Sequence, residues 1–319
     1  MTPEHNCYLV LPRMRIQNLN CISSPLTWGA PSITAVLGFM HALQRRIPED
    51  WYLDLLSAGL VVHEFEPQVN GHFEKRFNLT RNPVDKDGKT QAIVEEGRAH
   101  ALVSLVFGVC IDTDNTEQLQ KYADQIYEKV SIMRFAGGSV LPNTHSWNKA
   151  RFVHIGDSRD EFHPSVLGLV RQLLPGFALL GRDELLREHT KNLQVQDPAA
   201  TELDALLDLS RLNYRSVVKP LEQDSLNPST EEYEIEWRSS REEGDGWLVP
   251  IPVGFSALSE LFDPGEVDQA RDNSIPFRFV ESVYSMGEWR SPHRLEKLSD
   301  LLWYSYTDHE AGLYRCINS

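Results

Sequence analysis

Two apolar segments, "LLSAGLVVHEFEPQV" at 55–69 and "AHALVSLVFGVCI" at 99–111, are separated by "NGHFEKRFNLTRNPVDKDGKTQAIVEEGR". Each flank reads as a strand, and strands that follow one another in sequence usually lie side by side. The connection is polar, punctuated by Gly and Pro, richer in Lys and Arg than its surroundings, and too long for an ordinary hairpin loop. It must leave the sheet, so the chain has to fold as a sheet that carries a projecting arm at about 68–98.

The segments around this pair supply the rest of a sheet. "CYLVLPRMRI" reads as a strand in which Pro12 signals an edge position or a bulge. Alternation puts Arg13 and Arg15 on one face and Met14 and Ile16 on the other. After the polar turn "QNLNCISSPLTWGAPS", Ile33, Val36, Leu37, Met40, Leu43 and Ile47 recur at helical spacing, with Ser32 as N-cap and Pro48 as stop. Gln44, Arg45 and Arg46 then fall in the last turn, where arginines face the helix dipole favourably. Beyond residue 111, "DTDNTEQLQKYADQIYEKVSIM" reads as a capped helix lined by Leu119, Tyr122, Ile126 and Val130. "RFAGGSVLP" supplies a glycine turn, and a further extended segment lies near "RFVHI".

This order predicts an α+β fold, a ferredoxin-like βαββαβ core over 1–158 with an extended hairpin as its arm. Over 159–245, "EFHPSVLGLVRQLLPGFALLGRDELLREHTKNL" and "TELDALLDLSRLNY" read as helical, and "LEQDSLNPSTEEYEIEWRSSREEGD" as an acidic linker or loop. Over 246–319, "GWLVPIPVGF" and "IPFRFVESVY" read as strands, and "SPHRLEKLSDLLWYSY" as a helix with Ser291 as N-cap, Pro292 at its first position and Leu295, Leu298 and Leu302 as its stripe.

Composition narrows the function. A chain of 319 residues with 41% apolar and 9% aromatic side chains buries a real core. The amino terminus shows no signal-peptide pattern and no segment is long and apolar enough for a membrane span, so a cytoplasmic address is expected. Cys7, Cys21, Cys110 and Cys316 are scattered, which predicts reduced, mostly buried thiols and neither a disulfide framework nor a zinc knuckle. A net charge of −15 argues against a free-standing nucleic-acid binder. Residues 1–100, however, carry 10 Lys/Arg against 11 Asp/Glu, so nearly all the excess negative charge lies further on. A local anion site remains open near the front of the chain.

Motifs of catalysis fail at the residues that matter. "HEFEP" at His63 has Pro67 where a zinc-protease pattern needs its second histidine, and "DTDNTEQLQKYA" has Glu117 and Ala123 where a calcium loop needs Gly and Glu. No Walker loop, dinucleotide fingerprint or nucleophile elbow is present, and nothing calls for a metal or cofactor. Glu95 and Glu96 are adjacent on an extended chain and point apart. What remains is a set of Arg/Asn groupings, "RMRIQNLN", "QRR", "KRFNLTRNP", "EEGR", "IMRFAGGS" and "EWRSPHR". Arginine supplies a fork for phosphates and a plane for stacking, and asparagine pairs with base edges, a combination suited to single-stranded RNA.

Longer strings carry a family likeness. "LPRMRIQNLNCISSPLTWGAPSITAVLGFMHALQRR", "AIVEEGRAHALVSL", "MRFAGGSVLP", "GWLVPIP" and "GEWRSPHR" resemble the second subunit of the Csy, or type I-F, CRISPR surveillance complex, and the likeness runs from about Leu9 to Cys316. That family belongs to the repeat-associated mysterious proteins. The resemblance implies an RRM-like core, a glycine-rich loop at "AGGS" and a thumb around Gln68 to Arg98. It further implies a non-catalytic, Cascade-like subunit for antiviral defence. Such a subunit pairs with the large subunit, grips the 5′ handle of the CRISPR RNA, abuts the first backbone subunit and meets target DNA only indirectly.

On this likeness the handle-binding candidates are Arg13, Arg15, Asn18, Trp28, Arg45, Arg46, Arg76, Asn78, Arg81, Arg98, Arg134, Gly137, Gly138, Ser139, Arg290, His293 and Arg294. The stacking aromatics of an ordinary RRM are missing, which leaves Trp28 or Trp147 for that task. Two alternatives stay open: an endoribonuclease of the same superfamily using His41 or His63 as acid or base, and an adaptor that touches only protein.

Overall fold

The computed structural model describes residues 3–71, 73–84, 87–142, 148–155, 164–211, 214–220, 233–239, 246–270 and 272–318. Trp147 and most of the acidic 221–245 segment, both singled out from sequence, lie outside the described residues.

The amino-terminal strand β1 (Cys7–Asn20) buries Leu9, Leu11, Met14 and Ile16. Short strands β2 (Ile22–Ser24) and β3 (Thr27–Trp28) lead into helix α1 (Ile33–Gln44), where the Ser32 side chain accepts from the Ala35 N–H. The helix stops one residue short of the expected arginine-bearing turn: Arg45 is its C-cap and Arg46 lies beyond it. Strand β4 (Leu53–Pro67) follows and leads into the arm, formed by β5 (Val69–Asn70), β6 (Arg76–Arg81) and β7 (Ile93–Glu96) as a small three-stranded sheet. The chain returns along β8 (Arg98–Ile111), which pairs with β4 from Leu53↔Ile111 to Pro67↔Ala99. The projecting arm thus grows from one end of the longest hairpin.

Helix α2 (Thr116–Ser131) is capped by Asn115, and the hairpin of β9 (Arg134–Phe135) and β10 (Gly138–Leu141) follows it. Strand β11 (Arg151–His154) then completes the amino-terminal half. Strand β1 lies between β8 on one side and β10 with β11 on the other, so Pro12 sits in a central strand. The strand tolerates it through a bulge: pairing moves from Leu11↔Leu105 to Met14↔Val103, leaving one extra residue on β1, and neither β10 nor β11 pairs there. Helices α1 and α2 cover one face through Val36, Leu37, Met40, Leu119, Ile126 and Val130.

The rest of the chain extends this sheet. Helix α3 (Pro164–Gln172) covers its other face, with Leu169 and Leu173 buried against Tyr8, Val10 and Val106. Strand β12 (Phe177–Gly181) lies between α3 and α4 (Asp183–Gln196). "FALLG" is therefore a strand and not part of a helical run, because pairing with β4 at Val61 and Val62 overrides its leucine-rich composition. Helix α5 (Glu202–Ser210) carries a Thr201/Asp204 capping box. Within the expected linker, β14 (Tyr233–Ser239) is a strand, paired in a two-stranded ribbon with β13 (Tyr214–Pro220) just ahead of the linker.

Strands β15 (Trp247–Ala257), β16 (Val280–Arg290), β17 (Trp303–Asp308) and β18 (Leu313–Asn318) complete the large antiparallel sheet. The path β4, β17, β18, β15, β16, β12 returns to β4, so six strands close on themselves around Trp303, whose indole N–H donates to the Leu179 carbonyl at 2.9 Å. The carboxy-terminal helix read from sequence is replaced by two 3-10 turns, Pro292–Arg294 and Leu298–Leu301. Of the expected stripe, Leu298 and Leu302 are buried and Leu295 is half-buried, but a single turn at each point suffices, and Trp303 onward is captured by pairing with β18. Five α-helices and one eleven-stranded sheet stand among the described residues.

Candidate nucleic-acid interface

The glycine turn organises the most concentrated group of candidates. Ala136 and Gly137 take left-handed φ values of 47° and 77°, which closes β9 onto β10 in a tight turn. Gly138 allows this hairpin to lie on β1, since a Cβ there would stand 2.7 Å from the Leu19 nitrogen. The Ala136 carbonyl accepts from the Asn20 N–H at 2.8 Å, next to Asn18, itself left-handed at φ 58°. Arg98 reaches over this turn: its Nη1 approaches the Asn18 carbonyl at 3.4 Å and its Nε donates to Glu96 at 3.3 Å. Ser139 lies between Gln17 on β1 and Arg134 on β9. Arg15, Asn18, Arg98, Arg134, Gly137, Gly138 and Ser139 therefore meet where the arm leaves the sheet, and Arg15, Arg134 and Ser139 are exposed.

Other candidates stand apart from this group. Arg13 shares the expected face but turns its guanidinium inward, Nη2 donating to the Leu174 carbonyl at 2.7 Å. On the arm, Arg76 pairs with Glu74 at 2.6 Å in full solvent, Asn78 accepts from the Asn70 amide, and Arg81 is exposed. Trp28 packs edge-on against Phe77 with ring centroids 5.3 Å apart, joining the β3 turn to the arm. Arg45 and Arg46 are at the opposite end of β4, because Gln44 beside them bonds Leu53 and Leu55. Arg290 is held by the buried Glu288 at 2.8 Å, while His293 and Arg294 sit exposed in the turn that follows. The seventeen residues thus form one cluster and several separate outposts.

Two concavities were not foreseen from sequence. One, of about 310 Å³, is lined by Arg15, Gln17, Glu64, Glu66 and His100 over a floor that includes Leu102 and Leu141. The other, of about 460 Å³, is apolar and is walled by Trp28, Phe177, Trp247, Trp289 and Pro250, with His63 at its side. No local motif signals either, because both are assembled by strands distant in sequence.

The histidines of the nuclease alternative are both held below the usual imidazole range. For His63 burial is the main cause, opposed by the Pro175 carbonyl bond, with Arg13 lowering and Glu64 raising it further. For His41 the causes are burial and then Arg45. His63 is also engaged at both ring nitrogens, by Pro175 at 2.6 Å and Ser104 at 2.7 Å. Three cysteines are buried and free, Cys110 is exposed and free, and burial pushes Cys7 and Cys316 up to about 12. Among the described residues there is no group of three side chains fit to hold a metal ion, and no helix is long and apolar enough to cross a membrane.

The family model described as CRISPR-associated protein (Cas_Csy2) matches residues 9–316. The chain belongs to the Csy2 family. A curated member, CRISPR-associated protein Csy2 from Pseudomonas aeruginosa (strain UCBPP-PA14), is 47% identical over 317 residues, covering 96% of this chain and 94% of the relative. The Csy2 likeness read from the long strings above is thus confirmed over nearly the same span. The glycine turn, the arm and the arginine cluster of this Csy2-family chain all lie within the matched residues.

Proposed function

We propose that this chain is the non-catalytic, cytoplasmic subunit of a type I-F CRISPR RNA-guided surveillance complex that pairs with the large subunit and holds the 5′ handle of the CRISPR RNA. The observation that carries this reading is the convergence of Arg15, Asn18, Arg98 and Arg134 on the glycine turn at the base of the arm. Support for an RRM-like core comes from the strand order β4, β8, β1, then β10 and β11, with α1 and α2 on one face. The arm acts as a thumb toward the first backbone subunit, and target DNA is met through the guide, whose pairing reads sequence while protein reads shape and backbone.

A net charge of −15 is compatible with this role when the basic side chains line a confined surface that the large subunit completes. The test is expression of the chain alone, and of the chain with the large subunit and a repeat-spacer RNA, followed by salt washing. RNA retained intact only with both proteins is expected. Cleavage of the repeat by this chain alone would establish the nuclease reading, and full retention by the large subunit alone the adaptor reading.

A further inference from the structure

The concavity beside the glycine turn poses an electrostatic problem for an RNA-holding surface. Arg15 on β1 faces Leu102 on β8, and Leu102 faces Glu64 on β4, so three adjacent strands set an arginine and a glutamate on either side of a leucine. With strands about 4.8 Å apart, the Cα atoms of Arg15 and Glu64 are about 10 Å apart. Glu66, two residues along β4 and on the same face, lies opposite His100. Glu64 and Glu66 are exposed, and among the described residues no hydrogen bond or ion pair engages the side chains of Arg15, Gln17, Glu64 or Glu66.

Two open carboxylates beside a phosphate-binding arginine cluster would repel a backbone laid across them. They are suited instead to the donor edge of a base, as carboxylates accept from exocyclic amines while arginine donates to O6 and N7. We infer that this concavity is a pocket for one unstacked, amino-bearing nucleobase of the bound RNA, seated over Leu102 with its acceptor edge toward Arg15 and its amine toward Glu64 or Glu66. Guanine presents both edges at once and is the preferred occupant. Gln17 has both a donor and an acceptor to add at the rim. The inference rests on the proposed handle binding and goes further, by making this chain a reader of base identity and not only of backbone.

The sign of a charge change tests it. Removing a negative charge from a surface that meets phosphates strengthens RNA binding; removing an acceptor from a base pocket weakens it. The assembled pair of this chain and the large subunit is titrated with synthetic handle RNA, and with RNAs in which each guanosine in turn is replaced by inosine, which lacks only the amine. Glu64→Gln and Glu66→Gln are compared in the same assembly. The expected result is a loss of about 5- to 150-fold for one inosine position, a similar loss for at least one glutamine variant with the parent RNA, and no added loss when the two are combined. The slope of affinity against salt should stay unchanged in these variants, because no phosphate contact is lost. Equal binding of every inosine RNA together with tighter binding by both glutamine variants overturns the pocket while leaving handle binding intact. Failure of the parent RNA to bind overturns both. Glu64 and Glu66 are exposed and make no internal bond, so neither variant threatens the fold.

Discussion

The backbone N–H of Arg13 donates to the Ser104 hydroxyl at 2.9 Å, across 91 positions of sequence. The direction of the next bonds follows from chemistry. The Pro175 carbonyl only accepts, so His63 carries its proton on Nδ1 and accepts from Ser104 at Nε2. Arg13 closes the circuit through its Nη2 bond to Leu174. One fully buried serine therefore holds the β1 bulge, where Arg13 has a left-handed φ of 48°, and the connection between α3 and β12.

Ser104→Ala removes the acceptor of the Arg13 N–H and the donor to His63 together. Each is left without a partner in a water-poor site, so unfolding by urea should show a loss of about 1–3 kcal/mol. A loss below about 0.5 kcal/mol, the scatter of ordinary surface changes, would show that water or a local shift replaces the serine.

The same circuit marks what sequence discloses. The Ser32 cap, the Asn115 cap, the apolar alternation of β1 and the Ala136–Gly137 turn are all local, set by residues within a few positions of one another. The arm was equally legible, because a polar stretch between two strands has nowhere else to go. By contrast, β12 exists because β4 and β16 flank it, and the 3-10 turns near Leu298 bury the same leucines that a helix would. The candidate site divides along the same line. Arg15, Arg98 and Arg134 are brought together by the register of β1 with β8 and β10, and that register also sets Glu64 and Glu66 beside them. Arg13 was visible as a basic residue on the right face, but its partner Leu174 was not.

Acid should loosen the fold before the carboxylates titrate. His5, His41 and His63 are each held below 6.5, mainly by burial, so the folded chain binds their protons less readily than the unfolded chain does. Their contribution is fully present above the unfolded value and is lost as pH falls through about 6.5 toward the folded values. Urea midpoints should therefore drop between about pH 7.5 and pH 5.5. His63→Gln should lower the midpoint at the higher pH and flatten the drop. A pH dependence unchanged in that variant would assign the effect to His5 and His41.

Salt dependence separates arginines that meet phosphate from those that do not. Each phosphate contact on a single strand contributes about 0.7 to the slope of log affinity against log salt. In the assembled pair, Arg98→Ala with Arg134→Ala should reduce that slope by about 1.4, two contacts' worth, and weaken all handle RNAs alike. Arg45 and Arg46 are separated from the arm by the 15 residues of β4, a path of roughly 45 Å. Arg45→Ala with Arg46→Ala should leave the slope as it is. An equal reduction by both pairs would mean that the RNA runs the length of the sheet.

Arg290 requires a different control, since loss of RNA binding in its variant has a structural explanation. The Glu288 carboxylate is 6% exposed and pairs with Arg290 at 2.8 Å and Arg182 at 3.2 Å. It also packs on Gly246, where a Cβ would stand 2.6 Å from the carboxylate. Cutting one partner from a buried pair costs about 3–5 kcal/mol, but Arg290 is 28% exposed and Arg182 remains, so Arg290→Ala should cost about 1–3 kcal/mol. Arg294→Ala, on an exposed residue four positions on, should leave stability unchanged. If Arg290 serves only the fold, RNA retained per folded molecule is the same in Arg290→Ala as in the parent, while the thermal midpoint falls. A drop in RNA retained per folded molecule, with the midpoint unmoved, would return Arg290 to the RNA-binding surface and extend that surface past β16.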